Sequence, residues 1–375
     1  MNVPLVQPVL GDEEISAVVH VLQTGQLAQG PQVAAFETEF AAAAGVAHAV
    51  AVNSGTAAVH CALAALRIAD GDEVLTTPFT FAATATPVLM QRGRVRFVDI
   101  DPRTFNVDLA QFAGAASPAT KAVVGVDLFG LPFERDGLET LRAAGIAVVE
   151  DACQAVGAAR DGVAAGKGCD AATFSFYATK NLTMGEGGML TTDRDDVAEA
   201  ARRFRQHGQG DRYEYLSLGY NYRLTDILAA IGRAQLARLD AVTAARQANA
   251  AFYDAELADV PGITTPFVPP RVAHAYHQYS ILVDETQTRN GRDRDGVRRA
   301  LADAGVGSGV YYPTPLHLNP LFSHGYAAGD FPVAERTARR ILALPIHPSL
   351  SDEMRNHVAA SLKEAVGAAG RLSRT

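Results

Sequence analysis

Apolar positions recur three and four apart behind an acidic first turn in DEEISAVVHVL (12–22), and the stretch PQVAAFETEFAAAAG (31–45) follows a Gly-Pro loop. That spacing predicts two helices at the start of the chain. From about residue 46 the rhythm changes. Short continuous apolar runs, HAVAV, EVLTT, RVRFVDID, KAVVGVDLFG, GIAVVED (145–151) and AATFSF (171–176), alternate with helical stretches such as TAAVHCALAAL and VAEAARRFRQHG. Strands read this way when both faces of their sheet are covered, because neither face then needs polar residues. The alternation to about residue 210 predicts an α/β fold with a mostly parallel central sheet flanked by helices. A long amphipathic helix follows GYNYRLTDI. From about residue 246 a strand-like HAYHQYSILV and a helical DGVRRALADAGV predict a smaller α+β domain, dividing the chain into 1–245 and 246–375.

Composition narrows the classes. The 375 residues, 48% of them hydrophobic, suffice for a large core and about two domains. A net charge of -8 argues against general nucleic-acid binding, which needs a basic face, though a few arginines could still hold an anionic nucleotide. No run of about eighteen apolar residues and no charged-then-apolar leader is present, so neither a membrane span nor secretion is expected. Three cysteines, Cys61, Cys153 and Cys169, are too few for a disulfide framework and suit a reducing cytoplasm. Cys153 is read as a small buried filler.

The candidate chemistry centres on Lys180, in SFYATKNLTMGEGGM (175–189). Four lysines stand against twenty-nine arginines, so arginine is the ordinary surface cation, and this lysine sits among apolar and small residues. A desolvated lysine is a nucleophile, because burial favours the neutral amine that can form a Schiff base with a carbonyl. Upstream, GIAVVED ends in Glu150 and Asp151, and open α/β sheets bind ligands beyond the carboxyl ends of their strands. A helix N-cap would by itself account for Asp151. Ser54-Gly55-Thr56 stands between a strand and a helix, where backbone N–H groups favour an anion and serine equally serves as a cap. The ten histidines form no HExxH or comparable set, so no metal is expected.

GQLAQGP (25–31), VNSGTAA (52–58), GDEVLTTPFTFAAT (71–84), VEDACQAVGA (149–158), SFYATKNLTMGEGGM, GYNYRLTDI (219–227) and YYPTPLH (311–317) occur in this order across nearly the whole chain. In these pieces the chain resembles the DegT-like (DegT/DnrJ/EryC/StrS) family of sugar aminotransferases, fold type I enzymes that use pyridoxal 5′-phosphate. The resemblance implies that Lys180 carries the cofactor and moves the proton, and that Asp151 keeps the pyridine nitrogen protonated. It further implies that Gln154 meets the ring hydroxyl and that Gly55, Thr56, Ala57 and Ser175 hold the phosphate. Phe81 would stack on the ring, with Phe79 the competitor for that place. Asn221 would reach the phosphate of a partner's cofactor, with Arg223 nearby, in a homodimer with shared active sites. Tyr312 and His317 would meet the sugar.

The implied reaction moves an amino group from glutamate or glutamine to a keto sugar, with a nucleotide-linked one (3- or 4-keto, on UDP, dTDP or GDP) expected. A cyclitol ketone of the inosose type is the alternative substrate, and a non-catalytic regulatory member of the fold the alternative role. Related sugar dehydratases replace the lysine with histidine, whereas Lys180 is retained here.

Overall fold

The computed structural model describes residues 1–368. Helices α1 (Asp12–Thr24) and α2 (Pro31–Ala44) precede strand β1 (His48–Val52) and helix α3 (Gly55–Ala65). The remaining strands in chain order are β2 (Glu73–Thr76), β3 (Arg94–Phe97), β4 (Thr120–Val126), β5 (Ala147–Asp151), β6 (Ala159–Arg160), β7 (Val163–Ala164), β8 (Ala171–Ser175), β9 (Gly188–Thr192), β10 (Ile263–Thr264), β11 (Val272–Ala273), β12 (Tyr279–Val283) and β13 (Ile341–Leu344).

Seven of them form the central sheet in the order β1-β9-β8-β5-β4-β2-β3. Only β9 runs against its neighbours, so the sheet is mostly parallel as the apolar runs predict. The sequence reading did not separate β9 from the loop before it. Its first residue explains how tightly it sits: Gly188 pairs with both Val52 and Ser175. A Cβ there would lie 2.3 Å from the Ser54 carbonyl oxygen.

Alternation in β8 sets the direction of the site. Phe174 and Phe176 pack edge-on against Phe40 of α2, with centroids 5.0 and 5.5 Å away. Ser175 therefore faces the other way. Slipping the strand by one residue would remove two rings from this core, at about 1.5–3 kcal/mol each, so the serine's orientation is fixed by its neighbours' burial.

A second sheet, β10-β12-β13, lies wholly beyond residue 246 and has its own core around Tyr253, Tyr279, Leu342 and Leu362. The helix Leu239–Leu257 runs across the expected division at 245/246. No helix among the described residues is long and apolar enough to cross a membrane.

Candidate active site

The carboxyl ends of β1, β5 and β8 open into one cavity of about 480 Å³. Its lining includes Gly55, Thr56, Phe81, Asp151, Gln154, Ser175, Lys180 and Tyr312, so residues scattered over 258 positions of sequence meet in one place. A larger hollow of about 820 Å³ beside α2 is lined mainly by alanines and the Glu39–Arg233 pair; it holds none of these groups.

Each wall follows from local structure. Ser54 caps α3, its hydroxyl accepting from the Ala57 N–H at 3.1 Å. The other N–H groups of that first turn have no carbonyl one turn earlier. Gly55 leaves the approach open, since a Cβ there would sit 2.8 Å from Ser175 Cβ and 3.1 Å from Cys153 Sγ. A cradle of this kind, with the Ser175 hydroxyl beside a helix N-terminus, suits a phosphate. Ala57 contributes its N–H to the Ser54 cap and is buried.

Asp151 and Glu150 part company because successive strand residues face opposite ways. Glu150 turns from the cavity to Arg135, 3.0 Å away, and the Gly166 N–H. Asp151 lines the cavity, accepting from Thr84 Oγ1 at 2.6 Å and the Cys153 N–H at 3.2 Å. Each oxygen keeps acceptor capacity for a ligand. The Gln154 amide is oriented by the backbone. Its Oε1 accepts from the Phe129 N–H at 2.7 Å, so its NH2 must face the cavity side, where it donates to Tyr312 OH at 3.2 Å.

Lys180 follows β8 in a turn closed by its own N–H to the Tyr177 carbonyl at 2.9 Å. Burial pushes its amine below the ordinary lysine value, with Cys153 and Asp151 pulling the other way. A lowered amine beside an acid in a concave site is the arrangement that covalent and proton-transfer chemistry requires.

Packing separates the two phenylalanines. Phe79 is fully buried in the core, whereas Phe81 is 59% exposed and lines the cavity with its ring 6.2 Å from Tyr312.

Three expected residues are not brought to the cavity of this chain. His317 is fully buried, its Nε2 3.1 Å from Glu335 and its ring edge-on to Phe331 at 4.7 Å, so it belongs to the packing beneath the segment. Asn221 and Arg223 lie on a strip tied to β1, where Asn53 N–H bonds the Tyr222 carbonyl at 2.9 Å. The Asn221 side is exposed to solvent and neither side chain lines the cavity.

A profile of one protein family matches residues 8–363. The chain belongs to the DegT/DnrJ/EryC1/StrS aminotransferase family. It is 40% identical, over 97% of both chains, to the spore coat polysaccharide biosynthesis protein SpsC of Bacillus subtilis. It is 36% identical, over 95% of both, to a UDP-N-acetyl-3-dehydro-alpha-D-glucosamine 3-aminotransferase of Acidithiobacillus ferrooxidans. Among solved structures it resembles DesV of S. venezuelae in complex with a ketimine intermediate, with TM-score 0.91, 34% identity, and 98% and 100% of the two chains covered.

Some lining residues of this aminotransferase were not singled out from sequence: Thr84, Glu186, His277, Gln278, Leu5 and Val6. Thr84 ends the GDEVLTTPFTFAAT piece and Glu186 stands between glycines, so both had a local signal. Leu5 and Val6 had none. They reach the cavity because Val3 bonds backbone to backbone with Gly305 and Gly307 at 2.8 Å.

Proposed function

We propose that this aminotransferase holds pyridoxal 5′-phosphate in the 480 Å³ cavity and transfers an amino group from glutamate or glutamine to a keto sugar, most readily a nucleotide-linked one. The observation that carries the reading is the convergence of Lys180, Asp151, the Gln154 amide and the Gly55–Ser175 cradle on that one space. Bound there, the cofactor would supply an electron sink for the carbon acid.

The chain's own residues do the rest. The α3 N-terminus at Gly55, Thr56 and Ala57, with Ser175 Oγ, takes the phosphate. Asp151 holds a proton at the ring nitrogen. The Gln154 NH2 group donates to the ring hydroxyl, and Phe81 offers a face for stacking. Lys180 Nζ would hold the cofactor covalently and, when free of it, would take the proton from the donor's α-carbon in one half of the reaction and supply one to the sugar carbon in the other. Tyr312, on the cavity wall beside Gln154, contacts the sugar.

The reading extends to a homodimer with shared sites. The excursion before Asn221 exposes Tyr213, Tyr215, Leu216 and Leu218 at 71, 64, 54 and 74%, an apolar cluster suited to a second copy. Asn221 and Arg223 would then serve the partner's cavity. Co-expressing Lys180→Ala chains with Asn221→Asp chains tests this. Each variant alone is expected to be inactive or nearly so, while the mixed population regains about a quarter of wild-type activity, because one site of each hybrid is intact. No regain would place Asn221 in its own chain's site.

The substrate class is tested by loading the enzyme with each donor and offering 3-keto and 4-keto nucleotide sugars beside an inosose. Amination of a nucleotide sugar is expected; amination of the inosose alone would move the substrate to cyclitols. The free thiols of Cys61, Cys153 and Cys169 fit the cytoplasm, where such nucleotides are made available.

A further inference from the structure

The cavity contains an imidazole that none of these roles uses. His277 lines the wall together with Lys180 and Gln278, and its Nδ1 is buried without a hydrogen-bond partner among the described residues. Its backbone is held from four sides. The Ala275 N–H bonds the Gly130 carbonyl at 3.0 Å and the Gln278 N–H the Phe129 carbonyl at 3.3 Å. Asn181, next to Lys180, donates from Nδ2 to the Ala275 carbonyl at 2.8 Å. Arg246 donates to the carbonyls of Tyr276 and His277 at 3.0 and 3.3 Å. A ring whose backbone is held this firmly, on the cavity wall beside the reacting lysine, is placed to meet a ligand.

The charge around the ring says which ligand. Burial holds the His277 imidazole well below its usual range, and the cations of Lys180 and Arg246 add to this. The acids of the same cavity are Asp151, already bonded to Thr84 and Cys153, and Glu186 on the loop after Lys180. The ring is therefore neutral in neutral solution. A neutral imidazole offers a carboxylate no charge, so it is a poor clamp for the amino donor. A neutral ring nitrogen, whether it accepts or donates, matches an alcohol, which can do either.

We propose that His277 is a substrate-binding residue that hydrogen-bonds a sugar hydroxyl next to the ketone, and so acts in the second half of the reaction and not in the first. The inference rests on the transamination reading above. It assigns to one side chain the task of turning the keto carbon toward Lys180.

The two half-reactions of the holoenzyme separate the claims. Cofactor absorbance reports the donor half on adding L-glutamate or L-glutamine, and amino-sugar formation reports the other. In His277→Leu the KM for the keto sugar is expected to rise roughly ten- to a hundredfold, while the donor half stays within about twofold of wild type. His277→Gln, which can still bond a hydroxyl, is expected to recover most of the loss. A wild-type KM that rises equally for a ketone lacking the neighbouring hydroxyl, with His277→Gln and wild type discriminating alike and His277→Leu indifferent, completes the cycle. Equal damage to both halves, or an unchanged sugar KM, overturns the proposal. Should the leucine variant not fold, His277→Ala replaces it: a raised sugar KM, no discrimination against the deoxy ketone and an intact donor half support the assignment, and damage to the donor half or an unchanged sugar KM overturns it. A wild-type enzyme with no donor half-reaction would instead defeat the transamination reading itself.

Discussion

Lys180→Ala is expected to lose turnover with every donor and acceptor while folding normally. Proton transfer by a positioned base is by itself worth roughly 10²–10⁴-fold, and here the same side chain is also the covalent anchor, so the loss should exceed that range. Stability should move the other way. Burial depresses the amine's folded pKa below its unfolded one, so the fold disfavours the ammonium. That cost is complete at pH below the folded value, fades as pH rises toward the unfolded value, and is gone above it, where neither state binds the proton. Lys180→Ala should therefore melt at the same temperature as wild type or higher near neutral pH, with the gap closing in alkaline buffer. Thermal unfolding of the two apoproteins across pH checks the sign; a variant markedly less stable than wild type would show that the lysine is structural.

Asp151→Asn carries the second large effect. The amide keeps the carboxylate's shape and can still meet Thr84 Oγ1, 2.6 Å away in the wild type, so the pocket should persist. It cannot hold a proton on a pyridine nitrogen by charge. Removing one preorganised electrostatic partner from a dry site costs roughly 10²–10³-fold in kcat. The expected result is a protein that still binds the cofactor covalently but turns over at that reduced rate. Unimpaired turnover would mean that the acid only supports the turn after β5. The paired control is Glu150→Gln, which disturbs the Arg135 contact on the far face and should affect stability more than kcat.

The strand-end logic made much of this legible. An apolar run ending in an acid, a second ending in a serine and a lysine, and a Ser-Gly turn before a helix are all local signals, and a parallel sheet carries them to the same edge. Alternation along AATFSF also puts Ser175 on the face opposite Phe174 and Phe176. Residue type and spacing alone do not separate Phe79 from Phe81, and the resemblance favoured Phe81; in the fold the separation is made by Phe105, which packs against Phe79 at 6.5 Å, and by Phe81's place just before a short 3₁₀ turn. His317 failed to signal its burial because its partner Glu335 lies eighteen residues on, in the helix Pro332–Arg340. His277 was hidden for the same physical reason in reverse. It lies beyond residue 246 in sequence, yet backbone bonds to Phe129 and Gly130 dock its segment on the turn that follows β4. Long-range docking, not local propensity, decides such cases.

The measurement that tests the central claim most directly is borohydride reduction of the holoenzyme followed by peptide mapping. With only Lys121, Lys167, Lys180 and Lys363 available, the result is unambiguous. The account predicts an absorbance band near the visible edge that is lost on reduction, with the cofactor label on the peptide containing Lys180 and on no other. A label on another lysine, or a protein that stays colourless and unlabelled when supplied with pyridoxal 5′-phosphate, would contradict it.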